Sequence, residues 1–327
     1  MNIAVLGAGA WGTAIAIHLL RFHAMRLWVR DPRQYSEMAA GRRNLKYLPD
    51  HPLPVGLLLQ PRLEDAIAGA DLALAAVPVS GLRQTLKALA AGGCRVPVIW
   101  LCKGLEAGTA LFPRQVAEQE LPADWSWGAL SGPSFAQEVA AGLPTAVTLA
   151  SPNREFARQT AAALNSRHLR VYSSGDVAGV ETAGAVKNVV AIAAGLSDGM
   201  GFGHNARAAL VTRGLAEMAR LGRRLGGQAE TFLGLSGVGD LMLTCTGDLS
   251  RNRRVGLLLA QGLDLAEILQ RLGHVAEGVQ TAPEVRRMAE ALGVEMPITA
   301  AVCRVLHEGL SVSDAAEALL AREPREE

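Results

Sequence analysis

The stretch that decides the fold is N-I-A-V-L-G-A-G-A-W-G at residues 2–12. An apolar run typical of a β-strand leads directly into Gly7-x-Gly9-x-x-Gly12, and an apolar helical pattern follows from Thr13. This order predicts a strand, a tight turn and a helix N-terminus, the arrangement that binds a dinucleotide pyrophosphate. Gly7 allows the turn, Gly9 lets the backbone approach the phosphates, and Gly12 lets helix and strand pack closely. Exposed N–H groups at the helix start then receive the anion; the alternative is an ordinary strand–helix turn.

Outward from this motif, short β-like runs alternate with helical patterns through the first half of the chain. Such alternation predicts an α/β fold with a doubly wound, Rossmann-like, mostly parallel sheet, whose ligands lie beyond the carboxyl ends of the strands. After residue 175 the β signal ends and helical patterns follow one another. We therefore expect a dinucleotide-binding domain over 1–175 and an all-helical substrate and catalytic domain over 176–327. The predicted strands are Ile3–Leu6, Arg26–Val29, Leu72–Val77, Val96–Leu101, Trp127–Leu130, Ala146–Ala150 and Leu169–Tyr172. The predicted helices include Leu82–Ala90, Arg154–Leu164, Val177–Leu196, Ala206–Leu225, Arg251–Gln261, Leu265–Leu272, Pro283–Leu292 and Ile298–His307.

The composition is that of a globular protein with a large core. The chain has 327 residues, 50% of them hydrophobic and 19% charged, which suits two domains. A net charge of +1 gives no reason to expect nucleic acid or an anionic membrane as partner. We expect no membrane span, because no run of about 18 apolar residues is free of polar interruption. The N-terminus lacks the basic region of a signal peptide, so we do not predict one. The four cysteines form no C-x-x-C pair, so we expect no metal site, and a reduced, cytoplasmic location suits them best.

Lysine is scarce in this chain. Of 32 basic residues only Lys46, Lys87, Lys103 and Lys187 are lysines, since arginine stands elsewhere. A retained lysine is a candidate for a task that guanidinium cannot perform, such as proton transfer. The surroundings of Lys46 and Lys87 are charged or amphipathic, which indicates surface positions.

Lys187 is the strongest single candidate for a catalytic residue. It interrupts A-G-A-V-K-N-V-V-A-I-A-A at 183–194, a helix so apolar on all sides that it should be buried. Burial lowers the pKa of a lysine toward neutrality, which suits a general acid–base. Asn188 beside it indicates a polar pocket. The alternative is a lysine that extends to the surface or forms a structural pair.

The second predicted strand ends in Arg30 and Asp31. An acidic residue at this point usually binds the adenosine ribose hydroxyls, whereas an arginine accommodates a 2′-phosphate. With Arg30 first, the pair favours NADP over NAD without excluding NAD. A solvated loop is the alternative.

Two further stretches follow predicted strands and so fall at the ligand edge of the sheet. Lys103 lies just past one strand, and the sequence S-G-P-S-F at 131–135 follows another. Pro133 suits the first turn of a helix, which Ser131 or Gly132 would then cap. For Ser134, such a structural role and a ligand contact are equally consistent with the pattern.

The helical half contains a candidate anion site. Asp240 follows the glycine turn G-V-G and could orient a lysine or a substrate hydroxyl, and Ser250 is a good N-cap for the helix that follows. Arginines in the first turn of that helix oppose its dipole unless an external anion lies there. Arg251 and Asn252 would then bind a phosphate. The alternative is a solvated arginine-rich face with Asp248 and Glu267 nearby.

Taken in order, these motifs resemble the bacterial biosynthetic NAD(P)-dependent glycerol-3-phosphate dehydrogenases. The resemblance covers essentially the whole chain. The matching stretches are G-A-G-A-W-G-T-A from Gly7, R-N-L-K-Y-L-P from Arg43, K-G-L-E from Lys103, L-S-G-P-S-F-A-Q-E-V from Leu130, G-V-E-T-A-G-A-V-K-N-V from Gly179, G-F-G-H-N-A-R-A-A-L from Gly201, G-L-S-G-V-G-D-L from Gly234, S-R-N-R from Ser250 and V-A-E-G-V from Val275.

The resemblance implies a role for each matching residue. Lys187 would be the proton acceptor, and Lys103 would contact both substrate and nicotinamide. The implied substrate site comprises Gly132, Ser134, Asp240, Ser250, Arg251 and Asn252, and the implied cofactor contacts are Trp11, Arg30, Ala136, Arg251, Val275 and Glu277. Ala10 departs from the family, which usually has serine there, so a side-chain hydrogen bond to the phosphates is lost while the backbone N–H remains. A homodimer and a role in phospholipid synthesis are also implied.

Two other functions remain open at this point. A related hydroxyacid or ketopantoate-type reductase would share the sheet, the helical half and a lysine catalyst, but would bind a carboxylate instead of a phosphate. A dinucleotide-sensing module without turnover is the other alternative, although a sensor gains nothing from a costly interior lysine.

Overall fold

A computed structural model describes residues 1–93, 95–273 and 276–321. The chain divides into two compact units. Unit 1 comprises Met1–Lys103 and Leu111–Val177, and unit 2 comprises Gly104–Ala110 and the chain from Ala178 onward. The short segment 104–110, which we expected in the first domain, packs with the second unit.

Unit 1 is built on a twisted sheet of mostly parallel strands. Its described strands are β1 (Asn2–Leu6), β2 (Ala24–Trp28), β3 (Arg43–Asn44), β4 (Leu48–Pro52), β5 (Leu58–Gln60), β6 (Leu72–Ala75), β7 (Val98–Trp100), β8 (Trp127–Ser131), β9 (Thr145–Ala150) and β10 (Leu169–Ser174). Eight of these form one sheet in the order β10-β9-β8-β7-β6-β1-β2-β5, and each neighbouring pair is parallel except β8 with β9. All seven predicted strands are present, which confirms the doubly wound sheet. The strand order reverses at β1 and β6, where such sheets bind ligands.

Three short strands were missed at the sequence level. β5 is an edge strand of three residues beside β2, and β3 and β4 form a separate antiparallel hairpin. The β4 sequence L-P-D-H-P has two prolines and no alternation of apolar and polar residues, so it lacks a strand signal. This hairpin contacts α1 (Ala10–Leu19), the helix that follows the glycine loop.

Helices cover the sheet of unit 1 and share its core. Buried side chains from β1 and β2 pack with apolar residues of α1, as in the contact group of Val5, Ile15, Leu19 and Leu27. The remaining described helices of this unit are α2 (Pro32–Gly41), α3 (Leu63–Ile67), α4 (Val79–Ala91), α5 (Pro113–Glu120), α6 (Ala136–Ala141) and α7 (Arg154–Leu164).

Unit 2 is all-helical over its described residues, as predicted. Its α-helices are α8 (Val177–Gly199, beginning at the last residue of unit 1), α9 (Gly203–Arg224), α10 (Ala229–Leu233), α11 (Asp240–Thr246), α12 (Arg251–Ala260), α13 (Leu265–Leu272), α14 (Glu277–Ala291), α15 (Pro297–His307) and α16 (Val312–Leu320). A π-helical turn, Leu235–Gly239, leads directly into α11. The helices α10, α11 and α16 were not predicted.

The prediction that a helix begins at Pro283 is wrong, because α14 starts at Glu277 and Pro283 lies inside it. A proline in this position has no N–H for the carbonyl four residues earlier, which belongs to Val279. The His307 ring nitrogen Nε2 lies 3.0 Å from that oxygen and can supply the missing hydrogen bond. A side chain from α15 therefore allows α14 to continue through the proline.

Helix α8 is long and apolar enough to cross a membrane by length and composition alone. However, 94% of its most apolar 18-residue stretch is buried inside the protein. Neighbouring helices of unit 2 contribute to the core around it, with Val189 and Ile192 packed against Val255 and Val279. Its apolar surface therefore faces protein.

A buried carboxylate joins two helices of unit 2. Glu217 of α9 accepts hydrogen bonds from the backbone N–H of Ile298 (2.6 Å) and from both the N–H (3.2 Å) and the hydroxyl (3.0 Å) of Thr299. These groups begin α15, so Glu217 caps that helix from a distant part of the chain. Burial raises the pKa of the Glu217 carboxyl, although the hydrogen bonds oppose this effect.

We predict that Glu217→Gln lowers the free energy of unfolding by about 1–3 kcal/mol, because the amide nitrogen cannot accept a hydrogen bond from the buried donors, whereas each carboxyl oxygen can, protonated or not. The raised folded-state pKa means that this group's contribution is fully present below its unfolded pKa of about 4.3 and is lost as the pH rises through the folded value. The deficit of the variant should therefore be larger at low pH than at high pH. Urea unfolding at both ends of the accessible range measures it, with the exposed Glu230→Gln as control; equal stability of both variants would refute the capping role.

Candidate active site

The glycine loop after β1 has the geometry that the sequence predicts. Gly7 has φ +118°, which favours glycine, and a Cβ there would lie 2.9 Å from the Ala76 carbonyl oxygen. A Cβ at Gly12 would lie 2.1 Å from the Gly7 carbonyl oxygen, so loop and helix can meet only at a glycine. A Cβ at Gly9 would meet no described atom within 4 Å, which leaves space beside the loop.

The first turn of α1 is suited to an anion. Gly9 is its N-cap, Ala10 its first residue, and among the described residues no side chain caps the N–H groups of this turn. The turn also contains no acidic residue. The N–H groups and the positive end of the helix dipole thus lie at the open side of the loop.

Two side chains outside the glycine motif form hydrogen bonds to the backbone of the loop. The Ala8 carbonyl oxygen accepts hydrogen bonds from Gln34 Nε2 (2.8 Å) and from Asn44 Nδ2 (2.9 Å). Neither residue was singled out from the sequence. Asn44 occurs in the matching stretch R-N-L-K-Y-L-P, but without the hairpin there was no reason to place it against the loop.

The residues after β2 separate into two environments. Asp31 is the N-cap of α2 and accepts hydrogen bonds from the N–H groups of Arg33 (2.9 Å) and Gln34 (3.4 Å). Arg30 is exposed and forms no ion pair or hydrogen bond within the described parts of the chain. The Asp31 carboxylate is therefore already engaged as a helix cap, while the Arg30 guanidinium beside it is exposed to an external ligand.

Lys103 and the loop after β8 lie together at the carboxyl edge of the sheet. Lys103 Nζ donates to the Gly132 carbonyl oxygen (3.2 Å), and the Ser134 hydroxyl donates to the same oxygen (3.1 Å). Trp11 of the first loop donates from Nε1 to the Ser134 carbonyl oxygen (3.0 Å). The structure thus brings four of the predicted residues, Trp11, Lys103, Gly132 and Ser134, into one group in unit 1.

The helix expected to start at Pro133 begins later. Helix α6 starts at Ala136 with Phe135 as its N-cap, so neither Ser131 nor Gly132 caps it. Gly132 has φ +135°, and Ser134 closes a turn onto its carbonyl oxygen, so the chain turns before the helix can begin. Ala136 is half-buried at the start of α6.

In unit 2, Lys187 is buried and paired with Asp240. The Lys187 ammonium lies 2.5 Å from Asp240 Oδ1, and the exposed fractions of the two side chains are 7% and 2%. Lys187 also donates to the Thr244 hydroxyl oxygen at 3.0 Å. Burial of an ammonium requires such partners. The structure thus places Asp240 beside the lysine. Of the two alternatives given for Lys187, extension to the surface does not occur, whereas a structural pair is consistent with the same contact.

Thr244 was missed at the sequence level although a signal was present. It lies four residues after Asp240 on α11, on the same helix face, and its hydroxyl donates to the Asp240 backbone oxygen at 2.6 Å. Cys245 is buried beside this group, and burial raises the pKa of its thiol to about 12. The thiol therefore stays neutral next to the ion pair.

At the start of α12, where we predicted an anion site, the arginines differ in whether they have carboxylate partners. Ser250 is the N-cap, as predicted, and its hydroxyl accepts from the Arg253 N–H at 3.2 Å. Arg253 forms ion pairs with Asp198 (2.7 Å) and Asp248 (3.0 Å), so it is neutralised within the protein. Arg251 is exposed and has no ion pair or hydrogen bond among the residues described. Of the two, Arg251 is the cation available to an external anion.

Close helix packing brings the start of α12 to Asn188 of α8. A Cβ at Gly195 would lie 2.0 Å from the Arg253 carbonyl oxygen, and a Cβ at Gly256 would lie 2.1 Å from the Ile192 carbonyl oxygen. With the two backbones in contact, Asn252 Nδ2 donates to Asn188 Oδ1 at 2.9 Å.

Asn252 also connects α12 with α14. Its Oδ1 accepts from the Gly278 N–H at 3.0 Å, so its amide joins three helices. Glu277 is the first residue of α14 and is half-buried. Val275 lies outside the described residues.

The comparisons with known proteins agree with these motifs over the full length. The family model described as the NAD-dependent glycerol-3-phosphate dehydrogenase N-terminus matches residues 2–157, and the corresponding C-terminus model matches residues 176–317. A glycerol-3-phosphate dehydrogenase [NAD(P)+] of Nitrosospira multiformis is 59% identical over 100% of this chain and 99% of its own length. One from Thiobacillus denitrificans is 57% identical over 100% of both.

A solved structure gives the same result in three dimensions. The crystal structure of glycerol-3-phosphate dehydrogenase from Coxiella burnetii superposes with a TM-score of 0.94 at 42% sequence identity. The match covers 98% of this chain and 99% of that chain. The protein therefore belongs to the NAD(P)-dependent glycerol-3-phosphate dehydrogenase family.

Proposed function

We propose that this enzyme interconverts dihydroxyacetone phosphate and sn-glycerol 3-phosphate with NAD(P)H. The observation that carries the proposal is the buried Lys187–Asp240 pair in a chain of this family. A buried ammonium held by a carboxylate is suited to proton transfer at a carbonyl or hydroxyl oxygen. The family's own name supplies the substrate.

Unit 1 would hold the cofactor. Its pyrophosphate would bind at the N–H groups of the glycine loop (Gly7, Gly9, Ala10, Trp11 and Gly12), and the steric freedom at Gly9 supports this fit. Ala10 would contribute through its backbone alone. When bound, the nicotinamide supplies a hydride to C2 of the ketone. Further proposed cofactor contacts are Arg30, Lys103, Ala136, Arg251, Val275 and Glu277.

Lys187 would transfer the proton. In the reduction it donates a proton from Nζ to the C2 oxygen as negative charge develops there, and in the oxidation it removes the hydroxyl proton. Asp240 stabilises the ammonium form, and Thr244 restricts the direction of the N–H bonds. Lys103 would polarise the carbonyl, with Gly132 and Ser134 beside it.

The substrate phosphate would bind at the start of α12. Ser250, Asn252 and the helix N-terminus would surround it, and Arg251 would form a bidentate pair with it. The support for this assignment is the contrast between Arg253, which has two carboxylate partners, and the exposed Arg251. A phosphate held here would keep C2 in register for the reaction.

We further propose that NADPH is preferred. Asp31 already accepts two hydrogen bonds as a helix cap, and Arg30 beside it is exposed. Both features favour a 2′-phosphate over ribose hydroxyls. A homodimer, a cytoplasmic location and supply of glycerol 3-phosphate for phospholipid synthesis are proposed on the family resemblance.

The direct experiment is to follow oxidation of NADPH and NADH at saturating dihydroxyacetone phosphate. We expect turnover with both coenzymes and a higher kcat/KM with NADPH. In Arg30→Ala the KM for NADPH should rise about tenfold, the effect of losing one charged hydrogen-bonded contact, while the KM for NADH changes little. Turnover of ketopantoate in place of dihydroxyacetone phosphate would favour the reductase alternative, and NADPH binding without turnover of either would favour the sensing module.

We predict that Arg251→Ala raises the KM for dihydroxyacetone phosphate by at least about tenfold, because a charged phosphate contact is worth roughly 1.5–3 kcal/mol. The loss should shrink as ionic strength rises, since salt weakens the same contact in the wild type. Arg254→Ala, an exposed arginine of the same helix, is the matched control. An unchanged KM in Arg251→Ala would refute the phosphate site.

A further inference from the structure

We infer that Asn44, together with Gln34, is a positioning residue for the cofactor pyrophosphate, because it holds the carbonyl of Ala8 and thereby orients the glycine loop. The inference rests on the proposed cofactor site at Gly7–Gly12. It adds two residues, from a hairpin and a neighbouring helix, that the glycine pattern does not contain.

Asn44 is a fully buried amide whose hydrogens are both used. It is the last residue of β3 and has an exposed fraction of 0%. Nδ2 donates to the Ala8 carbonyl oxygen at 2.9 Å and to the Thr13 hydroxyl oxygen at 2.8 Å. Oδ1 lies 3.3 Å from the Tyr47 N–H, which donates to it and turns the hairpin back. The side chain therefore connects the glycine loop, the first part of α1 and the β3–β4 hairpin.

Gln34 provides the second contact to the same oxygen. It lies in the first turn of α2, the helix capped by Asp31, and its Nε2 donates to the Ala8 carbonyl oxygen at 2.8 Å. It also lies 3.4 Å from Asn44 Oδ1. Both acceptor positions of the Ala8 carbonyl oxygen are thus occupied by side-chain N–H groups.

The consequence follows from the planarity of the peptide bond. The Ala8 carbonyl and the Gly9 N–H belong to one rigid plane and point in opposite directions. With the carbonyl directed at Asn44 and Gln34, the Gly9 N–H is directed to the other side of the loop. A Cβ at Gly9 would meet no described atom within 4 Å, so the loop has free space for a ligand there.

This arrangement gives the buried amide a role beyond stability. A loop of the sequence G-A-G has more backbone freedom than other sequences, and an unheld Ala8–Gly9 peptide could rotate. Two hydrogen bonds to one carbonyl fix the donor before the cofactor arrives, so less ordering is required on binding. Asn44 and Gln34 therefore act on pyrophosphate affinity through the backbone and do not touch the reacting atoms.

The test is the variant Asn44→Asp, which keeps the shape of the side chain but replaces the Nδ2 donors with a carboxylate oxygen that repels the Ala8 carbonyl. We expect the Kd for NADPH, measured by fluorescence titration, to rise about tenfold or more. At saturating NADPH, kcat and the KM for dihydroxyacetone phosphate should stay within about twofold of wild type, a split that distinguishes positioning from general damage.

Two inhibitors localise the effect within the cofactor site. ADP-ribose contains the pyrophosphate, whereas adenosine 2′-monophosphate does not. We expect Asn44→Asp to weaken inhibition by ADP-ribose by the same factor as NADPH binding and to leave inhibition by adenosine 2′-monophosphate unchanged. Equal weakening of both inhibitors would overturn the inference, because it would indicate a loss of structure throughout the site.

Asn165→Asp is the control for the loss of a side-chain amide that donates to backbone carbonyls. Asn165 also donates from Nδ2 to two backbone carbonyl oxygens, those of Ala161 (3.0 Å) and Val171 (3.1 Å), but it is remote from the glycine loop in sequence and contacts. Its variant should keep the wild-type Kd for NADPH, and a rise equal to that of Asn44→Asp would overturn the inference.

If Asn44→Asp does not fold, Gln34→Met removes one donor from a half-buried side chain. Its NADPH affinity should fall by a smaller factor, and unchanged affinity would overturn the inference. Wild-type protein that failed to bind NADPH would instead refute the proposed function.

Discussion

The burial of one ammonium group is the constraint on which unit 2 depends. Lys187 lies in the helical run 183–194, in which the other side chains are apolar apart from Asn188, and an isolated charge there would cost several kcal/mol. Asp240 and Thr244 stabilise it, and both belong to one short helix that a π-helical turn introduces. Such turns are frequent at functional sites, because they shift the direction of the side chains that follow. The surrounding helices must therefore deliver a carboxylate and a hydroxyl to one point of α8.

The proposed anion site of unit 1 depends on backbone N–H groups instead of a buried charged side chain. An anion bound there would need N–H donors that are held in place, and close contacts and side-chain hydrogen bonds restrict the glycine loop that would provide them. Gly12 is pressed against the Gly7 carbonyl, and Ala8 is held by two amides. Glycines thus stand where a side chain would not fit, although they leave the backbone free to rotate. The hydrogen bonds from Asn44 and Gln34 restrict that rotation.

Much of the fold and part of the site could be predicted from the sequence, because the signals were local. The strand–turn–helix at Gly7, the burial of Lys187 and the cap at Ser250 each follow from neighbouring residues. Contacts between distant segments could not be predicted in this way. Glu217 caps a helix some eighty residues later, and His307 hydrogen-bonds the carbonyl freed by Pro283. Asn44 was missed for the same reason, since its hairpin has no alternating pattern.

A double-mutant cycle on kcat with Lys187→Met and Asp240→Asn probes the role of the buried pair in the reaction. If the two groups act as one proton-transferring unit, Lys187→Met lowers kcat by about two to four decades. The double variant should then be no slower than Lys187→Met alone, because Asp240 acts through the lysine. NADPH affinity should remain at the wild-type value in all three variants. Losses in kcat that multiply in the double variant, or a kcat that survives Lys187→Met, would contradict this mechanism.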